Sequence, residues 1–153
     1  MKITPADIAL AFIDMINLHD MSNFESLTTE DLLFIDAEGN RMHGRKPLQR
    51  CMRAYFTWFP DYSIEVEQSF ASGNLAVITG LAMGTHATGG RADKDQRWRT
   101  PSAWQAVVRS GRISEWRIYA DNRFLWQVAE SRNNRMMWDG TPSSDAYSLL
   151  PPR

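Results

Sequence analysis

The chain changes character at Pro60. Ahead of that proline, apolar residues recur at helical spacing. In "RKPLQRCMRAYFTWFPD", Leu48, Cys51, Met52, Tyr55, Phe56 and Phe59 fall at i, i+3, i+4, i+7, i+8 and i+11, while Arg50, Arg53 and Thr57 take the outer side. Pro60 has no backbone N–H to carry the helix on, and ends it. Beyond it the period drops to two. In "DYSIEVEQSFA", Ile64, Val66 and Gln68 lie on one side and Glu65, Glu67 and Ser69 on the other. "LAVITGLAMGTHA" reads as a long strand with few charges, covered on both faces. Such an order, helices first and strands after, specifies an α+β domain whose curved sheet wraps around its helices.

The remaining elements follow from local signals. "TPADIALAFIDMINLHD" has Thr4 as an N-cap, Pro5 at the first helical position and Asp7 in the first turn. Ile8, Phe12, Met15 and Ile16 form its apolar face. "SNFESLTTEDLL" predicts a short second helix that breaks near its threonines, and "LLFIDAEGNRMHG" a strand, a turn at Glu38-Gly39-Asn40 and a short return. "TGGRADKDQR" reads as a polar loop, and "WRTPSAWQAVV" as a strand whose Pro101 marks an edge or a bulge. Ser110-Gly111 suits a tight hairpin into the last strand, "RISEWRIYA". The last four strands are expected to form an antiparallel meander. Residues 1–125 read as one domain, and 126–153 as an extension serving as lid or dimer arm.

Composition narrows the function. Lysine plus arginine (17) nearly balance aspartate plus glutamate (18), with no long block of one sign, so neither nucleic acid nor an anionic membrane is an evident partner. No apolar run approaches the ~20 residues of a membrane span. The start of the chain reads as a helix rather than an export signal. Cys51 is the single cysteine, which fits a reducing cytoplasm. Six tryptophans and seven phenylalanines point to a thick core, an aromatic cavity or a dimer interface.

Most catalytic motifs are missing. His19, His43 and His86 are far apart and do not make a metal site. "GTHATGG" lacks the lysine and the strand-to-helix setting of a phosphate loop, and no nucleophile elbow occurs. Acid–base chemistry in an apolar cavity remains, because burial raises a carboxylate's pKa toward the working range. It needs neither metal nor organic cofactor.

"HGRKPLQRCMRAYFTWFPD", "YSIEVEQSFASGNLAVITG", "GTHATG" and "SGRISEWRIYAD" resemble the SnoaL-like branch of the nuclear-transport-factor-2-like (NTF2-like) superfamily, in family order over roughly residues 5–125. The branch includes polyketide cyclases, ketosteroid isomerase and limonene epoxide hydrolase. The resemblance implies a cone open at one end, a pocket for a small hydrophobic or polycyclic molecule, and a homodimer through the sheet's outer face. It also implies chemistry of isomerase, dehydratase, cyclase or epoxide-hydrolase type. One fold hosts many reactions, so a non-catalytic ligand-binding or dimerisation module is the alternative.

By the same resemblance, Asp36 matches a proton-shuttling aspartate of ketosteroid isomerase; capping a turn is its other reading. His86 lies where the epoxide hydrolases carry catalytic residues; bonding to backbone is its other reading. Other family positions are altered. The isomerase's oxyanion donors fall at Phe12 and near Ser102 or Ala103, the cyclases' histidine near Trp104, and the catalytic aspartate of the hydrolases and cyclases at Ile118. On the last strand Trp116, Ile118 and Ala120 share a face that should look into the cone, and Glu115, Arg117, Tyr119 and Asp121 share the other. Asp121 is therefore expected outside or at the rim. Asp36 and His86 are the acid–base candidates; Phe12, Tyr55, Trp58, Trp104, Trp116 and Ile118 are the pocket-lining ones.

Overall fold

A computed structural model describes residues 2–88 and 91–123; the extension at 126–153 lies outside the described residues. Helix α1 spans Pro5–Leu18 and opens with a reciprocal cap. Thr4 Oγ1 accepts from the Asp7 amide at 3.2 Å, and the Asp7 carboxylate accepts from the Thr4 amide at 2.7 Å. Its inner face buries Ala9, Phe12, Ile13, Met15 and Ile16. After a single 3-10 turn, Met21–Asn23, the expected second helix shrinks to one turn, α2 (Phe24–Leu27). Thr28 already belongs to strand β1, Thr28–Ile35. Two β-branched threonines in succession favour extended backbone, which stops the helix there.

Strand β2 (Arg41–His43) returns along β1, and helix α3 follows at Arg45–Trp58. The long strands are β3 (Ser63–Ser72), β4 (Leu75–Thr88), β5 (Arg91–Arg109) and β6 (Arg112–Ala120). Among the described residues six strands form one mixed, unclosed sheet in the order β2-β1-β6-β5-β4-β3. The meander is thus part of a larger sheet, because β1 pairs parallel with β6, Phe34 beside Trp116. The stretch read as a polar loop is instead strand from Arg91 onward, with Ala87 paired to Ala92 and Thr88 to Arg91. Backbone pairing alone extends a hairpin, so an apolar pattern is not required there.

The ends of strands β5 and β6 obey their residues. Ser110 and Gly111 both have positive φ, 52° and 77°, the signature of a two-residue hairpin whose twist matches its strands. Pro101 pairs with Leu81 on β4, whereas β6 ends opposite Ser102, so its missing N–H faces a side with no ladder to feed. Strand β3 carries a bulge between Val66 and Gln68, opposite Gly80. A Cβ at Gly80 would stand 1.9 Å from the Glu65 carbonyl oxygen, so only glycine permits that approach. The bulge adds local twist and helps the sheet curl.

Helix α1 is pinned across the concave face by Asn17. Its carboxamide donates to the Ile64 carbonyl at 2.9 Å and accepts from the Ile64 amide at 2.7 Å, imitating a strand partner. Asp61 does similar work beyond α3, accepting from the Thr85 amide at 2.7 Å and the Thr85 hydroxyl at 2.6 Å. The core between helices and sheet is a single cluster that includes Phe12, Phe24, Phe59, Trp98, Trp104 and Trp116. Among the described residues no helix is long and apolar enough to cross a membrane.

Candidate functional site

Helices and sheet do not meet everywhere. They leave a partly open cavity of about 90 Å³ between them. Helix α1 gives it Phe12 and Ile16; α3 gives Leu48, Met52, Tyr55 and Phe56. Phe34, Asp36 and Ala37 come from the end of β1 and the turn after it, and Tyr62 and Ile64 from the start of β3. Trp104 on β5 and Trp116, Ile118 and Asn122 on or just past β6 complete the wall. The two tryptophans are 1% and 2% exposed, and Phe12 packs on Trp116 with ring centroids 4.6 Å apart. Alternation on β6 explains the floor: Trp116 and Ile118 point inward, and Asn122 continues the same parity past the strand's end.

Four polar side chains interrupt this apolar wall: Asp36, Tyr55, Tyr62 and Asn122. Asp36 is 5% exposed. Its Oδ1 accepts from the amides of Glu38 (3.0 Å) and Asn40 (2.8 Å), and its Oδ2 accepts from the Asn40 carboxamide (3.0 Å). A carboxylate offers about four acceptor sites, so the turn leaves capacity for one more partner. Asp36 is thus placed in two ways. It caps a turn and it stands on the cavity wall.

Tyr55 and Tyr62 meet edge to face, centroids 5.0 Å apart. Burial pushes the Tyr62 phenol well above its ordinary pKa. Burial does the same for Tyr55, reinforced by neighbouring Tyr62 and Glu38. Part of Tyr55 still reaches the surface, so its shift is the more screened of the two. Both remain neutral O–H donors throughout the physiological range.

The structure brings together Asp36, Phe12, Tyr55, Trp104, Trp116 and Ile118. It does not bring Trp58 or His86 to that wall. Trp58 is buried, but it lies about 200° around α3 from Phe56, off the stripe that faces the cavity. His86 is 2% exposed and sits where the β4–β5 register shifts between Thr85 and Ala87. Its ring meets Phe59 edge-on at 5.7 Å, in the core rather than on the cavity wall. The expected pairing of Asp36 with His86 in one cavity is therefore not formed.

Asp121 faces solvent. It pairs with Arg123 at 2.7 Å, its side chain 57% exposed, and that hydrogen-bonded guanidinium draws its pKa down to about 2. The Thr100 hydroxyl donates to its carbonyl at 3.0 Å. Asn122, the next residue, is the one that reaches the cavity. Sequence reasoning missed Asn122 and Tyr62. Strand parity extended by one residue pair would have found the first. Tyr62 follows Pro60 in a turn and carries no periodic signal. Among the described residues no group of three His, Cys, Asp or Glu side chains can hold a metal ion.

A family model described as the SnoaL-like domain matches residues 9–116. No curated protein sequence matches. Among solved structures, the candidate polyketide cyclase IdmH from Streptomyces antibioticus is 21% identical over 82% of this chain and 98% of its own, with a TM-score of 0.69. A protein with a ketosteroid-isomerase-like fold from Catenulispora acidiphila, solved with trimethylamine, is 16% identical over 84% of this chain and 95% of its own, TM-score 0.70. An LEH-like epoxide hydrolase from M. tuberculosis is 14% identical over 89% and 96%, TM-score 0.68. At these identities the likeness is one of fold.

Proposed function

Given that the chain belongs to the SnoaL-like family, with its NTF2-like cone, we propose that it binds a small, largely apolar carbonyl compound and moves a proton on it without metal or organic cofactor. One observation carries this reading: a carboxylate, Asp36, shares an aromatic cavity with two neutral phenols, Tyr55 and Tyr62. Asp36 takes a proton from the carbon next to the carbonyl. The C–H electron pair moves onto the carbonyl oxygen, and the enolate formed accepts hydrogen bonds from the Tyr55 and Tyr62 hydroxyls. Returning the proton to a conjugated carbon completes an isomerisation. For a cyclisation, the enolate carbon attacks an internal carbonyl, whose π pair becomes an alkoxide, and Asp36 returns its proton to that oxygen. The phenols would stand in for the donors that, by the resemblance to ketosteroid isomerase, fall at Phe12 and near Ser102 or Ala103.

A second reading, an inert binding pocket, is favoured by the three hydrogen bonds that already hold Asp36 in its own turn. Exchange separates the two. 2-Cyclopentenone, a conjugated ketone of one small ring, is incubated in D₂O with protein and followed by NMR. Deuterium incorporation above buffer that disappears in Asp36→Asn supports catalysis. Binding shifts with no exchange support the inert pocket, and no binding sinks both.

We extend the proposal to a homodimer through the outer sheet face, where Phe70 and Tyr119 are 55% and 46% exposed on the side opposite Trp116. Sedimentation velocity reads this directly, and a monomer at tens of micromolar would refute it. A cytoplasmic location is proposed because Cys51, the single cysteine, has no second cysteine in the chain with which to form a disulfide.

A further inference from the structure

Beside the inner cavity lies a second, larger depression of about 620 Å³. His19, Asp20, Met21, Ser22 and Glu25 form one side; Gln49, Arg53 and Phe56 of α3 form the other. Phe56 belongs to both walls. It is a partition one side chain thick between an apolar chamber and a polar cleft.

The partition is held in place. The Phe56 ring lies flat on the His19 imidazole, centroids 4.1 Å apart and planes 8° apart. His19 is fixed in turn. It caps α1 in the left-handed conformation, φ 52° and ψ 27°, and its Nε2 lies 2.7 Å from the Tyr62 carbonyl oxygen. Tyr62 is itself part of the chamber wall. The latch and the chamber thus share a residue.

Volume shows why this matters. The chamber's 90 Å³ is smaller than the roughly 150 Å³ cavity known to accept benzene. With Phe56 in place it takes nothing larger than a single small ring. With Phe56 displaced, chamber and cleft become one space of the size that ordinary ligand sites occupy, about 300–1,000 Å³.

We propose that the two compartments form one bipartite binding site, with Phe56 as a displaceable partition, and that its ligand is an apolar ring system bearing a neutral, hydrogen-bonding arm. This rests on the inner cavity being a ligand site, as proposed above. The ring occupies the chamber against Trp104 and Trp116. The arm lies in the cleft, within reach of Gln49, Arg53 and Ser22. The cleft sets one arginine against two carboxylates, Asp20 and Glu25. An arm of either charge would meet a like charge there, so a hydroxyl- or ether-bearing arm fits best.

The test uses the full chain and three probes: naphthalene, 2-(2-naphthyloxy)ethanol and (2-naphthyloxy)acetate. Quenching of tryptophan fluorescence in a stopped-flow instrument reads binding. The neutral-arm probe should bind about tenfold tighter than naphthalene, as expected for one or two added hydrogen bonds. The acetate should gain nothing. Gln49→Leu with Arg53→Met should erase the neutral arm's advantage and leave naphthalene unchanged. Phe56→Ala should raise association rates by up to roughly tenfold, the worth of one stacked ring pair. Phe56→Leu, the variant more certain to fold, should raise them less. Circular dichroism checks that each variant is folded. Naphthalene binding with rates indifferent to Phe56, or no advantage for the neutral arm, overturns the bipartite site alone. No quenching by any probe in any variant overturns the ligand chamber as well.

Discussion

Replacing Gly80 with alanine puts the sheet's curvature to a quantitative test. The new Cβ would stand 1.9 Å from the Glu65 carbonyl oxygen, 3.0 Å from the Glu65 carbonyl carbon and 3.2 Å from Val66 Cα. A carbon needs roughly 3.3 Å from such an oxygen, so strand β3 must retreat by about 1.4 Å at its bulge. The obstacle is backbone, which cannot turn aside as a side chain can. Overpacking of this kind costs about 1–3 kcal/mol, and two weakened ladder hydrogen bonds add about 1 kcal/mol each. The expected loss is about 3–5 kcal/mol. That is a large share of the stability of a typical domain, and lowers Tm by about 6–20 °C. Urea unfolding followed by tryptophan fluorescence measures it. Two internal controls grade the effect. Gly84→Ala meets the Trp98 ring at 3.1 Å and Phe59 Cβ at 3.3 Å, which yield by a few tenths of an ångström, so it should cost less, about 1–2 kcal/mol. Gly39→Ala meets nothing within 4 Å but has φ +87°, so backbone strain alone should cost about 1 kcal/mol. Retreat of β3 would also carry Ile64 away from the cavity wall, so naphthalene binding should weaken in Gly80→Ala only. Gly80→Ala within about 0.5 kcal/mol of wild type would refute the steric account of the bulge.

Asp36→Asn should leave stability within about 1 kcal/mol of wild type, because the amide oxygen still accepts from Glu38 and Asn40 and the Asn40 carboxamide can turn over; Asp36→Ala should lose about 1–3 kcal/mol, and equal losses in a urea melt would contradict this. Tyr55 and Tyr62 bear on alkaline stability. Their folded pKa values are raised, so the unfolded chain ionises first; stability is intact below about pH 10 and falls above it. Tyr55→Phe with Tyr62→Phe should flatten that fall in melts recorded from pH 8 to 11. The sign reverses for Asp121. Its pKa is depressed to about 2, so its contribution is present above about pH 4 and fades as pH drops through 2; Arg123→Ala should return the carboxyl toward its ordinary value in an NMR titration. Both partners of that pair are exposed, so neutral-pH stability should hardly change.

The sequence was most readable where one local rule decides the outcome. The α3 stripe, the Thr4 cap and the Ser110-Gly111 hairpin each depend on a few neighbouring residues, and each forms. Reading failed where partners are distant. Nothing in "LLFI" announces a parallel neighbour on the last strand, and pairing across such a span leaves no local period. The polar start of β5 was misread because a hairpin extension is held by backbone groups that every sequence possesses. The site divided along similar lines. Alternation on β6 found Trp116 and Ile118, and the helical stripe found Tyr55. Trp58 was taken for its size rather than its angle on α3. His86 falls where a register shift interrupts the parity that would have placed it.

The parallel contact between β1 and β6 also governs how the molecule is made. Phe34 and Trp116 are neighbours in the sheet but about eighty positions apart in the chain. A ribosome adding roughly 5–20 residues per second needs about 4–16 s to travel from one to the other. Throughout that interval the first hairpin has an unpaired edge, and the apolar faces of α1 and α3 are covered only piecemeal as β3, β4 and β5 emerge. A newborn copy therefore waits, exposed, for its final strand, and during synthesis it is an obvious client for a holding chaperone.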